Sequence, residues 1–351
     1  MLIADEYTKG KIWLSVGNNI TVEGKTNWTL GYAPSTGILK FMGDVTLKEV
    51  TNAISPAQRI FNAAKDELVA ENIGNIGHDS ADLTINMNNY KIDGQNHSGI
   101  VTTTDTQKLT VNDATVTNFL TGSNGAFIID NNGVEININN SEIVNNNASR
   151  GGAIYNSGNL IATDTNFKTN TATGLGGAIY STGDVSINAA NKAVSLKGNM
   201  RASTPNDIYI SGTESRPATL ALNSKDDTHT ITIGSGIEGR NFKTTVNDSE
   251  GSVGKVIFDA VVTTDTLEVK AGTLLETESI TALNGVKNAG DLKITGISNT
   301  SNITGAGTTE FANDITNTGN ITQSNIEVAS GKTLTTTGNI TTDTLTNGGI
   351  H

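Results

Sequence analysis

The chain has 351 residues, with 23 Lys and Arg against 35 Asp and Glu, a formal net charge of −12 and a pI near 4.8; a chain of this sign repels phosphate backbones, which argues against a nucleic-acid partner. It has no cysteine, so disulfides, thiolate metal sites and cysteine nucleophiles are excluded together. No run of about 18 apolar residues exists, so no helix spans a membrane; the polar surface is written in Asn, Thr, Ser and Gly, with 17 % charged residues and 4 prolines.

The start, MLIADEYTKGKIWL, has no basic segment followed by an apolar one, so a signal peptide is expected to be absent from this chain. KIWLSVGNNITVEG (11–24) alternates well enough to be strands, and residues 1–50, with Trp13 and Trp28, read as irregular or shorter coils. SPAQRIFNAAKDELVAE (55–71) is different in character. Ser55 stands as N-cap, Pro56 takes the first helical position, and Ile60, Ala64 and Leu68 share a face. The spacing predicts a helix over about 55–71 that caps the open edge and apolar interior of the coils after it. Residues 1–82 form this N-terminal part.

From residue 83 the chain repeats itself. Five consecutive lines open at Leu83, Leu109, Val134, Leu160 and Val185, and GGAIYN (151–156) returns as GGAIYS (176–181). Each line opens on period-2 alternation: Val134, Ile136 and Ile138 are apolar, while Glu135, Asn137 and Asn139 are polar. That is a strand with one buried face. A second short apolar stretch follows (Tyr90/Ile92, Val116/Phe119, Ile143, Phe167), and a third falls at the Gly-Ala-Ile phrase. Three short strands joined by Asn/Gly turns leave no room for a helix. A repeat of about 25 residues cannot enclose a core alone and must stack on its neighbours. The expected fold is therefore all-β: a parallel β-helix in which each coil adds roughly 4.8 Å. The five opening residues are expected to form one inward aliphatic column. Gly99, Gly125, Gly152 and Gly177 are expected to form one turn column where a Cβ is not tolerated.

Regular coils are expected over 83–215, although residues 186–215 break the rhythm. Over 216–351 the solenoid is expected to continue less regularly, through ATLALN, HTITIG, KVIFDA and TLEVKAG. NTSNI (299–303), NTGNI (317–321) and TTGNI (336–340) then announce leaner coils of roughly 18–19 residues. The last letters, NGGIH, cut into another Gly-Gly-Ile phrase, so a truncated C-terminus is expected.

Two tetrapeptides carry a resemblance. GGA(I/L/V) occurs as Gly151-Gly152-Ala153-Ile154 and as Gly176-Gly177-Ala178-Ile179; FxxN occurs as Phe167-Lys168-Thr169-Asn170, with IVNN (143–146) a variant. Together with LTINMNNYKIDGQNHSGI (83–100) and NDIYISG (206–212), they make residues 83–212 resemble the passenger domains of type V autotransporters, including the polymorphic outer-membrane protein group. The resemblance implies a right-handed β-helix displayed outside a Gram-negative cell, for adhesion or self-association. A transmembrane β-barrel anchor is expected to be absent from this chain.

Chemistry is sparse. Asp226-Asp227 near His229 is the best cluster of titratable groups, and Asp79, Asp82 and Asp93 near His78 and His97 form another. A glycoside hydrolase needs two or three carboxylates converging within about 10 Å, whereas KDDTHT reads as a solvated turn. The positions aligned with Asp113 (Met87, Ile138, Asp164) hold one other acid, too few for a Ca²⁺-dependent lyase. No GxSxG, HExxH, P-loop or Ca²⁺-binding nonapeptide occurs. Four scattered histidines do not make a metal site. Asn-rich turns such as NNN (145–147) are expected to hydrogen-bond along the stack rather than to bind glycans. The sequence-level reading is a non-enzymatic surface or secreted stalk with no cofactor, no metal and no catalytic residues. Its partners are a host or matrix protein or glycan, or copies of itself. The alternatives are a subunit that assembles into an extracellular filament or layer, and a polysaccharide-degrading β-helix enzyme.

Overall fold

Short alternating segments bounded by Asn and Gly turns bury one face each only if the next coil supplies the missing wall. The structure, a computed structural model, describes residues 106–348 without a break, and before them the strands and a few turn residues between 2 and 102. It is all-β: the fold is a parallel β-helix, and there is no helix among the described residues. Two compact units are distinguished, residues 1–183 with 198–208, and 184–197 with 209–351.

In the first unit each coil contributes three strands to three parallel columns. Ala81–Asn86, Thr106–Asn112, Glu135–Asn139 and Asn159–Thr163 form one. Lys91–Asp93, Thr115–Thr117, Glu142–Val144 and Asn166–Lys168 form the second. Ile100–Val101, Ile128–Ile129, Ile154–Asn156 and Ile179–Ser181 form the third. In the second column Ile92, Val116, Ile143 and Phe167 lie in register and are fully buried. Each such side chain withdraws enough apolar surface to stabilise by about 1.5–3 kcal/mol. Before residue 81, Lys11–Val16 and Ile20–Glu23 are strands, as KIWLSVGNNITVEG suggests.

Three sequence expectations are corrected. The helix expected over 55–71 is replaced, where that span is described, by strands Arg59–Asn62 and Leu68–Glu71; Ser55, Pro56 and the rest of the span lie outside the described residues. Leu68 and Val69 pair in parallel with Ile92 and Asp93, so backbone pairing with a neighbouring coil overrides a local helical pattern. The first aliphatic column runs Leu83, Leu109, Ile136, Leu160, with Ile136 where Val134 was expected. Val134 sits two residues ahead and is still buried. Side chains alternate with period 2, so a two-residue slip keeps the same face inward and the alternation cannot reveal it. The glycine column is also shifted: it holds Gly125, Gly151 and Gly176, three residues ahead of the paired Ile128, Ile154 and Ile179. Gly152 and Gly177 occupy the next position, level with Ala126, and Gly99 is level with Phe127.

In the second unit coil length falls along the chain. Val185 pairs with Leu220 and Asn188 with Asn223, a step of 35 residues that accounts for the broken rhythm at 186–215. Leu220 then pairs with Thr244, a much shorter step, and Val286 with Ile303, a shorter one still. Ile303, Ile321 and Ile340 follow in register at the lean spacing expected of them, with the Gly305–Gln323 step 18 residues and the Asn320–Asn339 step 19 residues. Once the coils are lean, two columns fuse. Strand Ile303–Phe311 pairs both with Val286–Asn288 and with Asp291–Ile294, with a register irregularity between Gly305 and Thr308.

Candidate functional site

The two glycines of the GGAI phrase have different jobs. Gly151 and Gly176 adopt φ of 59° and 70°, as Gly125 does at 56°, a left-handed conformation that L side chains resist. Gly152 and Gly177 do not have that φ, and space alone excludes a Cβ: one on Gly152 would lie 2.1 Å from the Gly177 carbonyl oxygen, and one on Gly177 2.1 Å from that of Asn206. Ala153 and Ile154, like Ala178 and Ile179, are fully buried. The phrase is thus one turn-forming glycine, one contact glycine and two core residues.

The FxxN phrase builds a ladder. Phe167 fills the core, and the asparagine three residues later turns its amide along the stack. Asn170 Oδ1 accepts from the backbone N and from the Nδ2 of Asn146, at 3.0 and 2.9 Å. Asn199 Oδ1 accepts the same pair from Asn170, at 2.9 and 3.0 Å. Asn199 Nδ2 donates to Asp207 Oδ1 at 2.6 Å, so a carboxylate ends the ladder. All four side chains are buried. The IVNN variant therefore belongs to the ladder through Asn146, and the middle of the NNN run is structural, as expected. Asn199 and Asp207 were not picked out from the sequence; LKGN (196–199), with the spacing of FxxN, was the available signal.

A second polar node is Asp130, also missed. It is wholly buried, and its carboxylate accepts from the backbone N of Asn132, Val134, Ser157 and Gly158 and from the hydroxyls of Thr102 and Ser157. One carboxylate thereby joins three consecutive coils. Its full set of donors makes the burial of a charge tolerable. On the outward side, the rings of Tyr155 and Tyr180 stack 5.2 Å apart and 6° from parallel. The exposed Arg150 guanidinium lies 5.6 Å from the Tyr180 ring. Burial is the main influence on the Tyr155 hydroxyl and pushes its pKa up.

Asp226 and Asp113, among the acids singled out in the sequence, take part in turns. Asp226 Oδ1 takes four donors of its own turn: the Thr228 hydroxyl at 2.6 Å, His229 Nδ1 at 2.7 Å, and the backbone N of Thr228 and His229. The Thr228 hydroxyl, then the His229 ring, hold the Asp226 carboxyl well below the usual range. This is a self-satisfied surface turn. The position level with Asp113 holds Asn140 and Asp164, so Ile138 is not in that row. All three adopt φ near 50° (56°, 48° and 53°), and Asn140 Nδ2 donates to Asp113 Oδ1. Their acids and amides serve a left-handed turn. Asp82 and Asp93 are strand residues, while His78, Asp79 and His97 lie outside the described residues. No group of three or more His, Asp or Glu able to hold a metal ion occurs among the described residues, and no described helix is long and apolar enough to cross a membrane.

The second unit does gather acids that the sequence reading passed over. A surface groove of about 330 Å³ is lined by Leu274, Asp291, Leu292, Lys293, Thr308, Glu310 and Glu327. Lys293, Glu310 and Glu327 stand on successive coils of one outward row. Lys293 Nζ is 3.7 Å from Glu310, which leaves Glu327 beside a like charge. Nearby, Glu268 is ringed by Lys287, Lys270 and Lys243 at 3.1, 3.5 and 3.7 Å. Compared with known proteins, the chain matches no family model, and no curated protein or solved structure is similar to it.

Proposed function

We propose that this chain is the non-enzymatic β-helical stalk of a surface-displayed or secreted protein of a Gram-negative bacterium, working in adhesion or self-association as autotransporter passengers do. The observation that carries the reading is the buried ladder from Asn146 through Asn170 and Asn199 to Asp207, in which each coil is tied to the next by side chain and backbone together. A stack cemented at its corners resists shear, and its outward faces offer repeated polar surface for multivalent contacts. Arg150 with Tyr155 supplies residue types enriched at binding hot spots. The partner is a host or matrix protein or glycan, or another copy of the chain.

The test is light scattering with negative-stain imaging over a concentration series, beside binding to immobilised matrix proteins and host glycans. A concentration-independent monomer that binds, and loses binding in Arg150→Ala or Tyr155→Ala, supports the adhesin. Filaments growing with concentration make assembly itself the function. A second reading is favoured by the groove holding Asp291, Glu310 and Glu327, because polysaccharide hydrolysis requires paired carboxylates. Release of reducing ends from a polysaccharide panel, abolished by Glu310→Gln or Glu327→Gln, would establish it in place of the stalk.

A further inference from the structure

In the second unit Ile303, Ile321 and Ile340 pair in register on three successive coils. Each stands between an asparagine and a threonine: Asn302-Ile303-Thr304, Asn320-Ile321-Thr322 and Asn339-Ile340-Thr341. Each triplet is the acceptor pattern for N-linked sugar. Ile303 and Ile321 are buried, so their Asn and Thr neighbours point outward by strand alternation; all six of those polar residues are exposed. The amides are also oriented. Asn302 Oδ1 accepts from Asn320 N at 2.8 Å, and Asn320 Oδ1 from Asn339 N at 2.9 Å. The carbonyl side of these amides belongs to the fold, while the Nδ2 atoms make no hydrogen bond to any described residue.

Other asparagines in the same triplet pattern are placed differently. Asn247 is buried and gives its Nδ2 to the Gly254 carbonyl. Asn299 is buried and gives its Nδ2 to Ser301 O and Asn317 Oδ1. Asn139 gives its Nδ2 to Asn112. Asn96 and Asn147 are exposed, but each stands alone in its row.

We propose that Asn302, Asn320 and Asn339 are a column of acceptor sites for covalent N-linked glycosylation; this rests on the surface or secreted reading above. A transferase takes the sugar from a sugar-diphosphate donor, nucleotide- or lipid-linked. The bond from the anomeric carbon to phosphate oxygen breaks, and its electron pair leaves with the diphosphate. A bond forms from that carbon to Nδ2, which gives one proton to a base of the transferase. The product amide keeps its carbonyl, so the bonds from Asn320 N and Asn339 N survive. Adjacent coils are about 4.8 Å apart, so glycans longer than one sugar are confined to alternate coils, at Asn302 and Asn339.

The test is peptide mapping by electron-transfer mass spectrometry on protein purified from the cells that make it, with cell fractionation beside it. The expected result is a sugar mass on peptides carrying Asn302, Asn320 or Asn339 and none on Asn247 or Asn299. Thr304→Ala, Thr322→Ala and Thr341→Ala, singly and together, should each remove the mass from its own triplet while leaving the amide and the circular dichroism unchanged. Bare amides at all three positions overturn the proposal, as does equal labelling of Asn247 and Asn299. Fractionation separates the two ideas. Bare amides on protein found outside the cell sink the acceptor column and leave the stalk, whereas sugared protein found only inside sinks the surface reading and leaves the column.

Discussion

The corners of the two units put asparagine to two uses. In the first, wide coils enclose a core with Phe119, Phe127 and Phe167, and level positions such as Asn146 and Asn170 or Asp113 and Asn140 lie 24 to 27 residues apart. Asn146 and Asn170 there spend their amides on the next coil, while Asn156 divides its own between Gly158 O in its own turn and the Ser181 hydroxyl of the next coil. In the second, the leaner coils step by 18 residues from Asn299 to Asn317 and by 19 residues from Asn317 to Thr336, and these two asparagines also bond within their own turns. Asn299 Nδ2 donates to Ser301 O and Asn317 Nδ2 to Gly319 O, each two residues away. A single side-chain bond passes from Asn299 to Asn317 Oδ1, and another from Asn317 to the Thr336 hydroxyl. Both uses occur in both units: Asn156 closes its own turn in the first, and Asn288 reaches Thr308 and Gln323 of other coils in the second. The difference teaches that a repeated asparagine is not one device.

The sharpest way to break the first arrangement is at the contact glycine. Gly152→Ala drives a Cβ against backbone of the next coil, where no side-chain rotamer gives relief, and should cost about 4 kcal/mol. Gly122→Ala, with nothing within 4 Å, should stay within about 0.5 kcal/mol. Chemical denaturation of the two variants checks the contrast, and equal loss would undo the distinction between the glycines. Next, Asn170→Ala orphans Asn146 N and Asn146 Nδ2 and takes a side-chain donor from the Ile143 carbonyl, and should cost about 3 kcal/mol. Asn317→Ala, in the self-closing arrangement, should cost about 1–2 kcal/mol. Hydrogen exchange of the Asn146 amide should accelerate in the first variant alone.

Charge sharpens the comparison further, because the second unit carries the lysine-ringed Glu268. Burial raises its carboxyl, but the hydrogen bond from Lys287 and the charges of Lys243 and Lys270 outweigh that and hold it below the ordinary 4.5. A folded value lower than the unfolded one stabilises fully above the unfolded value, and the benefit is lost as pH falls through the folded value. Acid titration of stability should therefore show a loss below about pH 4.5 that is shallower in Glu268→Gln. The smallest effect is at the groove. Glu327→Lys places a cation beside Glu310 in the row and should raise stability by about 0.2–1 kcal/mol. A fall in melting temperature would show that Glu327 is not repelled there.

Much of this molecule could be read before any coordinates. Alternation revealed the strands, and the regular return of the GGAI phrase revealed the stacking. Phe167 stood in an apolar stretch, the Asn-rich turns announced hydrogen bonding along the stack, and NTGNI with TTGNI announced the lean coils. These are local or periodic properties, so letters in order carry them. What failed needed a partner in space. Val134 and Ile136 both face inward, so only pairing with Leu109 decides which belongs to the column. Two adjacent glycines look alike until φ and the neighbouring carbonyl separate them. The pattern Ser55-Pro56 with Ile60, Ala64 and Leu68 is sound for an isolated helix, yet Leu68–Glu71 is a strand paired with Lys91–Asp93, because the stack offers a ready ladder. Asp130, Asn199, Asp207 and the acids of the groove converge from separate coils. By itself the sequence determined the repeating unit and its inward face; the tertiary structure decided register, corner chemistry and which polar groups meet, because those depend on coil-to-coil hydrogen bonds that no single coil contains.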